Sequence, residues 1–265
     1  MAHFKHHIQD ILAINSDEAF EQIAMDLYDF QMKHNAVYAE YVTNIKRENP
    51  KNSSEIPCLP ISFFKTHTVR VGDEVAQVFT SSGTTGSVTS QHFVRDLGIY
   101  EASFLAGFHQ FYGNPEDFII FGLLPSYLER EGSSLVYMVD YLIRASKNKL
   151  SGFYLHNQEE LLAQIKRAQQ SNKQIILLGV SYALLDLADK NVDLSSCIIM
   201  ETGGMKGKRK EMTKTELHHY LKNGLNADTI HSEYGMTELL SQGYSKGEGI
   251  FYPSPTMKIF TREIT

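Results

Sequence analysis

Cysteine is almost missing from this chain: Cys58 and Cys197 are the two in 265 residues. They stand in unrelated contexts, which excludes a disulfide-stapled scaffold and leaves no zinc-like spacing. Cys197, inside the apolar run Cys197-Ile198-Ile199-Met200, is expected in the core. Long apolar runs are missing too. No stretch reaches the roughly 20 residues that cross a bilayer, and Met1 to His7 lacks the hydrophobic centre of a secretory signal. The expectation is a soluble, cytoplasmic protein without a membrane span. Nor is charge of one sign gathered into a block, since 25 basic and 31 acidic residues give a net charge of -6. The densest cluster, Lys206-Gly207-Lys208-Arg209-Lys210, is short and followed by acids. It reads as a solvated helix start, so no nucleic-acid partner is expected.

What is present suffices for a sizeable core, with 42% of residues hydrophobic. Residues up to about 48 carry apolar positions at helical spacing, with Ser16 and then Asp17-Glu18 as a cap and acidic first turn. They are expected to form a helical N-terminal segment, 1–55, ahead of a main core, 56–265. Three prolines between Pro50 and Pro60 mark an extended connection. From Leu97 onward, helical patterns alternate with apolar strands: Phe118 to Leu124, Gly152 to Leu155, Gln174 to Gly179, Cys197 to Met200 and Asp228 to His231. Asn157 is expected to cap a helix from Gln158, and a helix from about Arg209 to Lys222 is expected to stop at Gly224. The pattern predicts an α/β fold with a mostly parallel sheet covered by helices.

In such a sheet ligands bind beyond the carboxyl ends of the strands. The residues there are Pro125-Ser126, Val180-Ser181, Glu201-Thr202-Gly203-Gly204 and Ser232 to Glu238. A further polar stretch, Thr80-Ser81-Ser82-Gly83-Thr84-Thr85-Gly86, follows the strand-like run Val75 to Phe79. Glycines and hydroxyls of this density suit a phosphate cradle, and equally a plain surface turn. It is not a Walker loop, because Ser87-Val88-Thr89 stands where a lysine is needed. It is not a Rossmann turn, because the residues after Gly86 read as a strand rather than a helix.

The loop Thr80 to Gly86, then Gly203-Gly204, then Tyr234-Gly235-Met236-Thr237-Glu238, each at a strand end and in this order, resemble the core motifs of the adenylate-forming superfamily. Leu59 to Lys65 and Leu123 to Arg130 look most like the acyl-protein synthetase and phenylacetate-CoA ligase-like branch. The likeness runs from about residue 55 onward. It implies ATP-dependent activation of a carboxylic acid, fatty or aryl, as an acyl-adenylate passed to a thiol acceptor such as coenzyme A or a protein.

Carried onto this chain, the likeness assigns Thr80, Ser81, Ser82, Gly83, Thr84, Thr85 and Gly86 to the β and γ phosphates. Gly203 and Gly204 would lie against adenine and ribose, and Tyr234 would stack on the base, with Gly235 and Met236 beside it. Thr237 would donate to the α-phosphate and Glu238 would bind Mg²⁺, these two being the catalytic residues. Tyr127, Ser181 and Met205 face an acyl pocket on position alone. His231 either lines the acyl or nucleotide pocket or is a satisfied interior histidine. Residues 239–265 contain no ribose-binding Thr-Gly-Asp, so the expectation is the large N-terminal part of an adenylating enzyme without its small C-terminal domain. The other class of reading is a truncated, non-catalytic nucleotide- or acyl-binding subunit working with a complementing chain.

Overall fold

The structure, a computed structural model, describes residues 4–82, 88–125, 130–205 and 207–261. Gly83, Thr84, Thr85, Gly86 and Tyr127 lie outside the described residues. The chain divides into two compact units, one made of residues 1–106, 236–241 and 255–265 and the other of 107–235 and 242–254.

The first unit begins with α1 (Ile8–Leu12), α2 (Asp17–His34) and α3 (Ala36–Asn44). Ser16 caps α2 by accepting the Ala19 N–H at 3.2 Å, and Asn35 caps α3 through the Tyr38 N–H. Tyr28, Tyr38 and Val42 form one buried cluster of this unit, with Met32, Tyr41, Ile56 and Leu59 packed against them. The Tyr38 hydroxyl donates to the Pro57 carbonyl at 2.8 Å, and the Ser53 N–H donates to Glu21 at 2.6 Å. The proline-bearing connection is therefore held on the helices by the side chains of Tyr38 and Glu21. After the short α4 (Phe63–Thr66), β1 (Gln77–Thr80) and β2 (Gln91–Val94) pair antiparallel as a separate two-stranded sheet.

Helix α5 (Leu97–Phe111) contains the boundary between the units. The second unit carries β3 (Phe118–Leu123), α6 (Ser134–Ala145), β4 (Gly152–Phe153), α7 (Gln158–Ala168), β5 (Gln174–Val180) and α8 (Ser181–Ala188). These are followed by β6 (Cys197–Thr202), α9 (Lys214–Leu225), β7 (Ile230–Tyr234), β8 (Gly243–Ser245) and β9 (Tyr252–Pro253). Its seven-stranded sheet has the order β4-β3-β5-β6-β7-β8-β9, parallel from β4 to β7 and antiparallel over the last two strands. Every residue of β3, and every residue of β5 after Gln174, is buried. Continuous apolar strands with both faces covered are what a parallel sheet demands. Each fully buried Leu, Ile or Phe contributes roughly 1.5–3 kcal/mol, so Phe121, Leu123 and Leu177, at 0% exposure, anchor this unit.

The structure corrects three expectations here. Helix α9 starts at Lys214, not near Arg209, because Thr213 and Glu216 cap it reciprocally. It runs through Gly224 and stops at Asn226, which takes the left-handed conformation at φ 51°. Gly224 faces α8 instead, where an added Cβ would stand 2.5 Å from the Ala188 carbonyl oxygen. Strand β7 runs on to Tyr234, which makes the tyrosine its last residue.

Candidate functional site

In the first unit β1 ends at Thr80, where the glycine-rich loop begins. Pairing continues one step further, since the Ser90 N–H donates to Ser81 Oγ at 2.9 Å and the Ser81 N–H to the Ser90 carbonyl at 3.1 Å. Ser82 is exposed. The same unit holds the half-buried segment Met236 to Ser241, containing Thr237 and Glu238. His92, opposite Phe79 in the hairpin, reaches that segment: its Nδ1–H donates to the Thr237 carbonyl at 2.9 Å. Burial lowers the His92 pKa, against the opposing pull of that hydrogen bond and of the Glu238 charge, and so favours the neutral ring. A second anchor is a hydroxyl cluster in which Ser241 Oγ lies 2.7 Å from Thr256 Oγ1 and Ser103 Oγ lies 3.0 Å from Thr256 Oγ1.

In the second unit Thr202 ends β6 and Tyr234 ends β7, and the two strands pair in parallel with Thr202 opposite Glu233. Gly203-Gly204 and Tyr234-Gly235 therefore leave the sheet side by side at its carboxyl edge. Gly203 needs glycine for its φ of 70°. Gly204 does not: its φ is ordinary, and an added Cβ would meet nothing within 4 Å. Tyr234 is 43% exposed and meets the Phe251 ring edge-on at 6.2 Å.

Three of the residues expected at an acyl pocket, Ser181, Met205 and His231, belong to this unit as well. Met205 is buried, and the buried Ser181 hydroxyl donates to the Gly203 carbonyl at 2.7 Å. His231 sits half-buried with its Nδ1 3.0 Å from the Tyr112 hydroxyl, and burial together with the Lys246 charge lowers its pKa to about 4. A hollow of about 410 Å³ opens at the carboxyl ends of β3 and β4, lined by Leu124, Phe153, Tyr154, Leu155 and His156 among others. Ser181, Met205 and His231 do not line it.

Two carboxyls lie inside this edge of the sheet. Glu201, at 0% exposure, meets Lys214 Nζ, has His218 Nε2 at 3.4 Å and has Ser181 Oγ at 3.3 Å. Burial pushes its pKa up, but the hydrogen bonds of His218 and Lys214 outweigh burial and hold it below the ordinary glutamate value. Glu233 accepts from the Thr202 hydroxyl at 2.6 Å. Burial, assisted by the Glu201 charge, raises its pKa to about 7 although that hydrogen bond pulls the other way. One acid is thus charged and the other neutral at mildly acidic pH. Sequence reasoning placed Glu201 and Glu233 at strand ends but assigned them no part, and it passed over His92, Lys214 and His218. Their partners are distant along the chain, and no local spacing announces them.

Among the described residues no group of three His, Cys, Asp or Glu side chains is arranged to hold a metal ion. Glu238 offers a single carboxylate, which suits a magnesium ion that brings phosphate oxygens with it rather than one held in a protein cage. Among the described residues no helix is long and apolar enough to cross a membrane. Comparisons with models of protein families, with curated proteins and with solved structures find no match to this chain.

Proposed function

We propose that the protein binds ATP with Mg²⁺ and activates a carboxylic acid as an acyl-adenylate for transfer to a thiol acceptor, coenzyme A or a protein. The observation that carries the reading is the His92–Thr237 hydrogen bond, which ties the hairpin bearing the hydroxyl-rich loop to the Thr237-Glu238 stretch. Hydroxyl donors and one hard-metal carboxylate in the same unit are what a triphosphate requires. Further support comes from Tyr234 and Gly204. A half-exposed aromatic ring beside backbone whose bare Cα has no structural reason suits a flat heteroaromatic base.

In this reading an oxygen of the substrate carboxylate attacks the α-phosphorus. The new P–O bond forms as the bond to the pyrophosphate oxygen breaks, and pyrophosphate leaves with that electron pair. No protein nucleophile is needed, so the work of the chain is positioning and charge stabilisation. Thr237 donates to an α-phosphate oxygen, and the hydroxyls from Thr80 to Thr85 hold the departing phosphates. Glu238 would hold the magnesium ion, which neutralises phosphate charge when bound.

Two measurements test the reading. Mg·ATP at about 100 times its Kd stabilises the fold by ~2.7 kcal/mol, so the melting temperature rises, and Glu238→Gln reduces the rise. Labelled pyrophosphate then exchanges into ATP only when a carboxylic acid is added, which separates a catalyst from a nucleotide-binding subunit. Absence of any thermal shift at millimolar ATP overturns the reading.

A further inference from the structure

Lys214 is the first residue of α9, a position where the helix dipole disfavours a cation. Its ammonium nevertheless reaches Glu201, a carboxylate with no exposure of its own. Neutralising Glu201 does not account for Lys214 by itself. His218, also buried, stands 3.4 Å from the same oxygen, and Ser181 approaches the other at 3.3 Å. The lysine side chain remains 42% exposed although one end is tied to a buried acid. An ammonium has three donors in all, so a lysine oriented by a buried carboxylate can present the others to solvent in a fixed direction.

What surrounds that ammonium is the candidate edge of the second unit. Its Nζ lies 5.7 Å from the centre of the Phe251 ring, and Phe251 in turn meets Tyr234. On the other side, Glu201 shares the Ser181 hydroxyl with the Gly203 carbonyl. Lys214 is therefore linked through Phe251 to the exposed tyrosine, and through Glu201 and then Ser181 to the glycine pair.

We propose that Lys214, oriented by Glu201, is an anion-binding residue that donates to a phosphate oxygen of a nucleotide bound at this edge. The inference rests on the nucleotide reading given above and adds to it a residue and a role. Glu201 acts as the positioning residue, holding the ammonium without entering the site.

The test is ATP binding by titration calorimetry, in the presence of Mg²⁺, for the wild type, Lys214→Met, Glu201→Gln and the double variant K214M/E201Q. Lys214→Met alone leaves a buried carboxylate short of its cation and risks misfolding. The double variant removes both charges and avoids that. If Lys214 touches phosphate, the double variant binds ATP about tenfold more weakly or worse, the loss expected for one charge-assisted hydrogen bond. If Lys214 serves only to neutralise Glu201, the double variant binds ATP as the wild type does, and the proposal fails while the nucleotide reading stands. A wild type that binds no ATP overturns both.

Discussion

Glu233→Gln replaces a buried acid with an amide of nearly the same shape, and its effect on stability is expected to depend on pH in a definite sense. The folded carboxyl keeps its proton up to about pH 7, whereas the ordinary glutamate value is 4.5. Between these limits the native state holds a proton that the unfolded chain has released, so stability falls as pH rises. It is fully present below the unfolded value and lost once pH has passed the folded one. At about 1.36 kcal/mol per pH unit the loss is ~3 kcal/mol. His231 works against it: its pKa is lowered to about 4, so in the acid range the unfolded chain takes up a proton that the native state refuses. That contribution rises with pH, and the wild-type curve alone conceals both.

The difference between variant and wild type isolates Glu233, since glutamine retains an oxygen to accept the Thr202 hydroxyl. Thermal unfolding of the two proteins across the mildly acidic to mildly alkaline range is the assay. The curves should lie nearest each other near the ordinary glutamate value and separate steadily as pH rises. The variant gains on the order of 6–12 °C by slightly alkaline pH, taking about 2–4 °C per kcal/mol for a chain of this size. A difference that stays constant across the range refutes the argument, because the carboxyl would then titrate as it does in the unfolded chain.

Gly204→Ala leaves the melting temperature of the free protein within about 2 °C, the surface-substitution range, because no atom stands where the Cβ would go. It weakens ATP binding if backbone is apposed to the base there, and unchanged binding by titration removes that contact from the proposal. His92→Phe retains an aromatic ring but loses the donor to Thr237. Urea unfolding is expected to show a loss of about 1–2 kcal/mol, and the Mg·ATP thermal shift shrinks with it. A full ligand shift in a destabilised His92→Phe protein would show that the link to Thr237 has no part in binding.

The sheet was legible where one strand carries its own signal. Phe118 to Leu123, Ile175 to Val180 and Cys197 to Met200 are unbroken apolar runs, and their flanking helices announce themselves through caps such as Asn157, which accepts the Glu160 N–H. Partnership was not legible. Nothing in Gln77 to Thr80 says that the strand pairs with Gln91 to Val94 in a sheet of their own, because a short strand carries no mark of the sheet it joins. Gly224 read as a helix stop because glycine at a helix end has two uses, a left-handed turn and close approach, and the sequence pattern is the same for both. Ser181 was placed correctly at a strand end, but its hydroxyl is turned inward to the Gly203 carbonyl. The buried acids escaped notice for a related reason: Thr202 and Glu233 lie 31 positions apart, and Glu201 looks like any polar residue closing a strand.

The route of the chain through its two units also dictates an order of events during synthesis. The hairpin and His92 are made early, but Thr237 cannot reach His92 until the intervening residues, which include all five parallel strands of the second unit, have been translated. The second unit waits in turn for β8 and β9, which lie beyond residue 241. A ribosome stalled after residue 235 would carry two incomplete units, with His92 lacking the carbonyl it is built to meet. Neither unit can be produced by cutting the gene once, and a circular permutant that makes residues 236–261 continuous with residues 4–106 would offer the His92–Thr237 partners to each other from the start.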